Sequence, residues 1–246
     1  MRNFRIILQY EGTKYQGWQK QESTDNTIQG KLENILTKME GEPVEIHGAG
    51  RTDAGVHANG QVAHFKSRTN KSEKEILSYI NQYLPEDIAV VSVKEAGERF
   101  HARLNATGKI YQYRILNSHI PAVFERRYMH VEERFLDLDK MKEAADILIG
   151  THDFKAFTST KRGKKSTVRT IWDIEIQKIG NEVVITYKGD GFLYHMVRIL
   201  SGTLMEVGLS ERSVESVKDA MNSLERKNAG FLAPAKGLTL VEVLYH

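Results

Sequence analysis

The chain has 246 residues, 40% hydrophobic and 27% charged, enough apolar side chains to bury the core of one large or two small domains. It contains no cysteine, which excludes disulfides, thiolate metal sites, iron–sulfur clusters and cysteine nucleophiles. The net charge of +3 permits a polyanionic partner without requiring one. We find no signal-peptide pattern and no uncharged apolar run of ~18 residues, so we expect a cytoplasmic protein without membrane association.

The first part of the chain reads as strands and helices in the order β-α-β-β-α-β. Phe4, Ile6, Leu8 and Tyr10 alternate with polar residues, as in a half-buried strand. Asn26 or Thr27 can cap a helix, and Ser72 with Glu75 forms a capping-box signature. The predicted strands are 4–10, 44–47, 61–65 and 88–93, and the predicted helices 28–39 and 72–83. This order is typical of a split βαβ fold.

The second part repeats this order more loosely. The predicted strands are 109–116, 171–176, 183–187 and 238–244, and the predicted helices 137–149, 192–207 and 214–224. We therefore predict an α+β fold of two related split βαβ halves, similar to ferredoxin and RRM domains, with antiparallel sheets. The predicted domains are 1–105, with a candidate catalytic Asp loop, and 106–246, with Tyr111 and Arg198.

The densest chemical signal is the segment Gly48-Ala49-Gly50-Arg51-Thr52-Asp53-Ala54-Gly55-Val56-His57. A dinucleotide-binding fingerprint fails here, because Asp53 stands at the third glycine position and would repel a pyrophosphate. For a lone aspartate, a turn or cap is the usual role. The alternative is a nucleophile: a glycine-flanked loop can hold the Asp53 carboxylate close to a substrate, with Arg51 favouring its ionised form.

Two residues in the second part are further candidates. Arg198 lies in a helix that is apolar nearly all round, so its charge needs solvent or an anionic partner. The partner is either a structural acid, Glu206 or another, or Asp53. Tyr111 shares a strand face with Tyr113. Two core tyrosines are the commoner situation, and a ring that stacks on an extruded base is the functional alternative.

Basic stretches at 99–103, 126–127 and 161–165 could contact phosphates or could be solvated surface. Asp53, His57 and His64 lie close in sequence, but no histidine pair has metal-ligand spacing. We therefore expect no metal site.

Taken together, these segments resemble the TruA family of tRNA pseudouridine synthases. The resemblance extends in order over almost the whole chain, and its first segment is highly specific. The matching segments are 50–58, 100–103, Tyr111, 153–154, 196–198, 202–208, 233–235 and 237–238.

The resemblance implies an enzyme that isomerises uridine to pseudouridine at positions 38, 39 and 40 of the tRNA anticodon stem-loop. It implies two α+β domains with their sheets joined across a central active-site cleft, a homodimer, tRNA as partner and no cofactor. The implied catalytic residues are Asp53 as nucleophile, Arg198 as its charge partner and Arg51 in base flipping. The implied substrate-binding residues are Tyr111, Leu238, His57 and Arg103.

Two alternatives remain from the sequence. The chain could modify another RNA site, or it could be an RNA-binding protein without activity. The second alternative is less well supported, because Asp53, Arg198 and Tyr111 are all present in the sequence. A metal-dependent hydrolase would need clustered ligands, which the sequence lacks.

Overall fold

The computed structural model describes residues 1–160 and 166–246. The basic stretch predicted at 161–165 lies outside the described residues. The chain forms two compact units, which we call unit 1 and unit 2. Unit 1 comprises Met1–Thr107 together with Thr239–His246, and unit 2 comprises Gly108–Leu238.

Unit 1 follows the predicted β-α-β-β-α-β order. Its elements are β1 (Arg2–Tyr10), α1 (Ile28–Glu40), β2 (Ile46–Gly48), β3 (His57–Ser67), α2 (Glu73–Tyr83) and β4 (Ile88–Ala96). The predicted alternation in β1 is confirmed, since Phe4, Ile6 and Leu8 are fully buried and the residues between them are not.

Unit 2 contains the elements predicted for the second part except the strand 238–244, which lies in unit 1 from Thr239 onwards, and it has two short strands that the sequence did not predict. Its elements are β5 (Gly108–Leu116), β6 (His130–Val131), α3 (Leu138–Leu148), β7 (Gly150–Asp153), β8 (Val168–Ile179), β9 (Glu182–Gly189), α4 (Met196–Gly208) and α5 (Glu215–Ser223). The last strand of the chain is β10 (Leu238–Leu244). The unpredicted strands β6 and β7 have two and four residues, too few to show a period of two.

The sheet of unit 1 is built around β1 and β3. β1 pairs antiparallel with β3 on one side and with β4 on the other. The second edge of β3 is shared: β2 pairs antiparallel with residues 63–65, and β10 pairs parallel with His57 and Ala58. The start of β3, which directly follows the Asp53 segment, is thus held between β1 and the C-terminal strand.

Local sequence explains where the helices of unit 1 begin and end. The Thr27 side chain accepts the Gly30 N–H at the start of α1, and Gly41 ends that helix with a φ of 78°. Ser72 and Glu75 form both hydrogen bonds of the predicted capping box. Such caps each contribute about 1 kcal/mol.

The sheet of unit 2 has the order β5-β9-β8-β7 with antiparallel pairing, and β6 adds to β5 in parallel. Helix α4 is buried along its length except at Arg198 and Glu206, as its apolar sequence predicts. The α+β class and the largely antiparallel pairing are confirmed.

The predicted start of α4 at residue 192 is wrong. His195 has a φ of 65°, in the left-handed region, and the Met196 N–H donates to the Leu193 carbonyl oxygen at 3.0 Å. A left-handed residue cannot lie inside a right-handed helix, so 192–195 form a turn and α4 begins at Met196. Hydrophobicity alone extends the helix too far, because Phe192 and Leu193 continue its apolar pattern.

Across 1–160 and 166–246, no helix combines the length and the apolar character needed to cross a bilayer.

Candidate active site

The Asp53 loop, residues 49–56, connects β2 to β3 in unit 1. Thr52 is buried, whereas Arg51 before it is exposed and Asp53 after it is half-buried. The Val56 N–H donates to the Asp53 carbonyl oxygen at 3.1 Å, and Gly55 has a φ of 79°. The loop therefore closes in a tight turn directly after the carboxylate, with glycine at the left-handed position.

The preceding segment 12–18 packs against the backbone of this loop. The Trp18 N–H donates to the Thr52 carbonyl oxygen at 3.0 Å. A Cβ at Gly17 would lie 2.7 Å from that same oxygen, and a Cβ at Gly12 would lie 2.0 Å from the Val56 carbonyl oxygen. Both glycines are needed for close backbone approach.

A buried polar group supports the loop from within unit 1. The Tyr10 and Thr52 hydroxyls are 2.8 Å apart, and both side chains are buried. Gln61 of β3 is fully buried and donates its Nε2 to the Gly50 carbonyl oxygen at 2.9 Å. These contacts hold the loop on both sides of Arg51. Sequence reasoning did not single out Tyr10, Thr52 or Gln61.

His57 begins β3 and is 3% exposed. Its Nδ1 accepts the Gly12 N–H at 3.0 Å. An accepting ring nitrogen carries no proton, so the proton of the neutral ring is on Nε2. His57 is therefore a support of segment 12–18, and its implied role in substrate binding stays a prediction.

Arg103 is exposed in a segment that is attached to the sheet of unit 1. The Ala102 N–H donates to Nδ1 of His64 at 3.1 Å, and the Arg103 N–H donates to Nδ1 of His101 at 3.1 Å. The Tyr245 hydroxyl donates to the Ala102 carbonyl oxygen at 2.6 Å. These bonds fix the backbone of 101–103 and leave the Arg103 side chain at the surface.

Three histidine rings, of His47, His64 and His101, pack together beneath this segment. Their centroids are 4.5 to 5.5 Å apart. The pKa of His64 is lowered to about 4, first by burial and then by the neighbouring rings of His101 and His47. Within the described ranges, no group of three or more histidines and carboxylates is arranged to hold a metal ion.

In unit 2, Tyr111 of β5 is 7% exposed and lies opposite Tyr187 of β9. Its ring meets the Phe192 ring edge-on, with centroids 5.3 Å apart and an interplanar angle of 84°. Tyr113 is fully buried and donates its hydroxyl to the Pro234 carbonyl oxygen at 2.9 Å. The orientation of the Tyr111 ring is therefore set by aromatic packing.

Arg198 is fastened to the segment before β10. Its Nε donates to the Ala233 carbonyl oxygen at 2.7 Å, and the Ala233 N–H donates to the Arg198 carbonyl oxygen at 3.2 Å. Glu206, which the sequence offered as a partner for Arg198, accepts from Arg212 at 3.0 Å and from the Phe231 N–H at 3.0 Å. The backbone bond joins α4 to residue 233, and the Nε bond directs the Arg198 side chain towards the Ala233 carbonyl oxygen.

Leu238, the last residue of unit 2, is 5% exposed. It follows Gly237, where a Cβ would lie 2.8 Å from the Tyr113 ring. The predicted site residues therefore fall into two groups. Unit 1 brings Arg51, Asp53 and His57 together on one loop and strand and carries Arg103 on another segment, whereas unit 2 contains Tyr111, Arg198 and Leu238.

Comparison with known proteins identifies close relatives over the full chain. A family model described as tRNA pseudouridine synthase matches residues 6–105 and 144–246. The tRNA pseudouridine synthase A of Bacillus sp. (strain KSM-64) is 47% identical over 241 residues, which cover 98% of each chain. The tRNA pseudouridine synthase A 2 of Clostridium perfringens is 45% identical over 245 residues, 100% of each chain. That of Bacillus cereus (strain ZK / E33L) is 43% identical over 244 residues, 99% of each chain.

Proposed function

The chain belongs to the tRNA pseudouridine synthase family, and on that premise we propose that it converts uridine to pseudouridine in the anticodon stem-loop of tRNA, at positions 38, 39 and 40. The observation that carries the proposal is the end-to-end match to relatives named tRNA pseudouridine synthase A, at 43% to 47% identity. The rigid loop of Asp53 supports it, because a nucleophile must be held in a fixed direction.

Asp53 is the proposed nucleophile. The reaction breaks the N1–C1′ bond of uridine, turns the uracil and joins C1′ to C5, after which the proton on C5 leaves. The Asp53 carboxylate has two routes to assist: it adds to C6 of the uracil, or it attacks C1′ of the ribose. Both routes are covalent catalysis by a carboxylate. Both need a carboxylate that the substrate can reach, and Asp53 is half-buried beside the buried Thr52.

The proposed roles of the other residues follow from their chemistry. Tyr111 stacks on the uracil and assists removal of the C5 proton, and Leu238 provides an apolar wall that keeps water from the detached base. Arg198 is the proposed charge partner of Asp53, Arg51 assists extrusion of the target nucleotide, and the exposed Arg103 contacts phosphate. His57 is proposed to contribute to substrate binding from the start of β3, directly after the Asp53 loop.

tRNA is the proposed partner, and the enzyme is proposed to be a cytoplasmic homodimer. An apolar surface supports a second copy as partner: the connection from β5 to α3 exposes four large hydrophobic side chains. They are Ile120, Val123, Phe124 and Phe135, each more than 60% exposed. Surfaces of this kind are typical of protein interfaces. Phe124→Asp is expected to shift the measured molar mass towards that of one chain.

The proposed function is tested by mapping pseudouridines in bulk RNA treated with the purified protein or with Asp53→Asn. The RNA comes from cells that lack this enzyme. We expect new pseudouridines at 38, 39 and 40 of tRNA with the wild-type chain alone. New pseudouridines at another RNA site would indicate that the chain is a pseudouridine synthase with a different substrate. RNA binding without any new pseudouridine would indicate the inactive RNA-binding protein.

A further inference from the structure

Three polar side chains are buried under the Asp53 loop: Tyr10 on β1, Thr52 in the loop and Gln61 on β3. They are 4%, 6% and 0% exposed. The Gln61 Nε2 donates to the Gly50 carbonyl oxygen at 2.9 Å and lies 3.5 Å from the Tyr10 hydroxyl, which is 2.8 Å from the Thr52 hydroxyl. We call these three residues the Tyr10 network.

The Tyr10 network is held against an energetic cost. In the described part of the chain, the Gln61 Oε1 is buried and has no hydrogen-bond partner. A buried acceptor without a partner costs free energy, which offsets part of what the bond from Nε2 to the Gly50 carbonyl oxygen contributes. Stability is therefore a weak reason for a glutamine at position 61. What the amide does accomplish is to direct an N–H at the Gly50 carbonyl oxygen.

The bonds of the network reach the loop at two points, Gly50 and Thr52. Arg51 lies between these points and Asp53 follows the second one directly. The Thr52 side chain is buried in the interior. The side chains of its two neighbours are more accessible: Arg51 is exposed and Asp53 is half-buried. The position of Thr52 therefore fixes the backbone from which the Asp53 side chain extends.

The Tyr10 hydroxyl connects the two ends of the network. It is neutral, since burial raises the pKa of Tyr10 above its ordinary value. It accepts from Gln61 Nε2 at 3.5 Å and forms a hydrogen bond with the Thr52 hydroxyl in which either oxygen can donate. A change at any one of the three residues therefore alters the contacts of the other two.

We propose that Tyr10, Thr52 and Gln61 are positioning residues for the nucleophile, which set the rate of the chemical step without contacting RNA. This proposal rests on the proposed function, in which Asp53 is the nucleophile. A misplacement of about 1 Å at a reacting group can cost on the order of a hundredfold in rate. The effect is expected in kcat, because Tyr10, Thr52 and Gln61 are buried and offer RNA no surface to bind.

The kinetic test uses Tyr10→Phe, Thr52→Val and Gln61→Met, with kcat and KM measured on tRNA. We expect kcat to fall about ten- to a hundredfold in Tyr10→Phe and Thr52→Val, with KM unchanged. Thr52→Ser keeps the hydroxyl and should restore most of the rate. The double variant should be no slower than either single one, because both break the same hydrogen bond. Gln61→Met removes the unsatisfied Oε1 together with the donor to the Gly50 carbonyl oxygen, so its Tm should change little while kcat falls.

Tyr15→Phe is the matched control. Tyr15 is also a buried tyrosine of unit 1, but its hydroxyl donates to Asp87 at 2.5 Å and not to the Asp53 loop. Its removal should leave kcat near the wild-type value. An equal loss of kcat in Tyr15→Phe, additive losses in the double variant, or a raised KM at normal kcat would each overturn the proposal.

A second measurement does not depend on activity. Amide hydrogen exchange of residues 50–55 in the free protein should be faster in Tyr10→Phe and Thr52→Val, with α2 unchanged as an internal reference. Unchanged exchange in the loop would overturn the positioning role. Failure of the wild-type chain to form pseudouridine would instead overturn the proposed function, so the two failures are distinguishable.

Discussion

The Asp53 loop of unit 1 and the Tyr111–Arg198 region of unit 2 hold their candidate site residues by different physical means. The loop is held by backbone contacts that only glycine permits, at Gly12 and Gly17, and by buried hydroxyl and amide groups. In unit 2, packing of aromatic rings orients Tyr111, and a buried helix carries Arg198.

This difference indicates which substitutions should reduce activity in each region. A carboxylate nucleophile on a loop depends on backbone position, so small added atoms should damage it. An aromatic ring in a packed region depends on the volume and shape around it, so a replacement of the same shape should be tolerated, whereas Arg198 contributes a charge that an apolar residue of similar size does not keep.

The largest effect is expected for Asp53→Asn. The amide has the shape of the carboxylate but cannot act as nucleophile, so activity should fall on the order of 10⁴-fold or more. tRNA binding and Tm should change little, since the loop is fastened through Thr52 and Gly50. Single-turnover assays and filter binding measure the two quantities. Turnover near the wild-type rate would exclude Asp53 as the nucleophile.

Arg198→Met should lose about a hundred- to a thousandfold in kcat, the cost of removing a charged donor from a reaction site. It also removes a hydrogen bond to the Ala233 carbonyl oxygen, so some stability should be lost.

The control is Arg212→Met, which breaks the ion pair with Glu206 in the same unit. It should lower Tm while turnover of the folded protein stays normal. Equal turnover in folded Arg198→Met and Arg212→Met would assign Arg198 a structural role only.

Tyr111 tests whether the ring or the hydroxyl matters in unit 2. Tyr111→Ala removes a stacking surface worth about 1–3 kcal/mol, so kcat/KM should fall about ten- to a hundredfold. Tyr111→Phe keeps the ring and its contact with Phe192 and should stay near normal if stacking dominates. A large loss in Tyr111→Phe would instead show that the hydroxyl moves the proton.

Gly17→Ala tests the backbone approach in unit 1, and Gly41→Ala is its matched control. Both glycines have positive φ, 88° and 78°, but only Gly17 has atoms within 4 Å of an added Cβ. Left-handed backbone costs about 1–2 kcal/mol in both. Overpacking adds about 1–3 kcal/mol in Gly17→Ala alone.

We expect kcat to fall only in Gly17→Ala, because that Cβ pushes on the Thr52 carbonyl oxygen. Denaturant unfolding and steady-state kinetics measure the two effects. Equal unfolding free energies in the two variants would contradict the close approach.

The smallest effect concerns pH and the three histidines of unit 1. The folded chain keeps His64 neutral down to a pKa of about 4, whereas the ordinary value is 6.5. The unfolded chain therefore binds a proton first as pH falls. Stability from this group should be complete above pH 6.5 and decline as pH falls towards 4. His64→Gln should flatten this part of the profile in denaturant titrations, and an unchanged slope would contradict it.

Much of the fold could be predicted from the sequence, because local chemistry specifies it. The strand alternation of β1, the Thr27 cap, the Ser72–Glu75 capping box and Gly41 are short-range signals, and all lie in elements that the structure confirms. The start of α4 could not be predicted, because apolar residues continue through a turn whose direction is set by the left-handed His195. The short strands β6 and β7 had no period to detect.

The sequence by itself determined the element order of unit 1, the apolar character of α4 and the family resemblance. Each depends on residues close together in the chain or on motifs read in order. Only the tertiary structure decided that β10 pairs with β3, that Gly17 meets Thr52, and that Tyr10 and Gln61 lie beneath the Asp53 loop. These contacts join residues far apart in the chain, and their specificity comes from packing and hydrogen-bond geometry, which sequence spacing does not record.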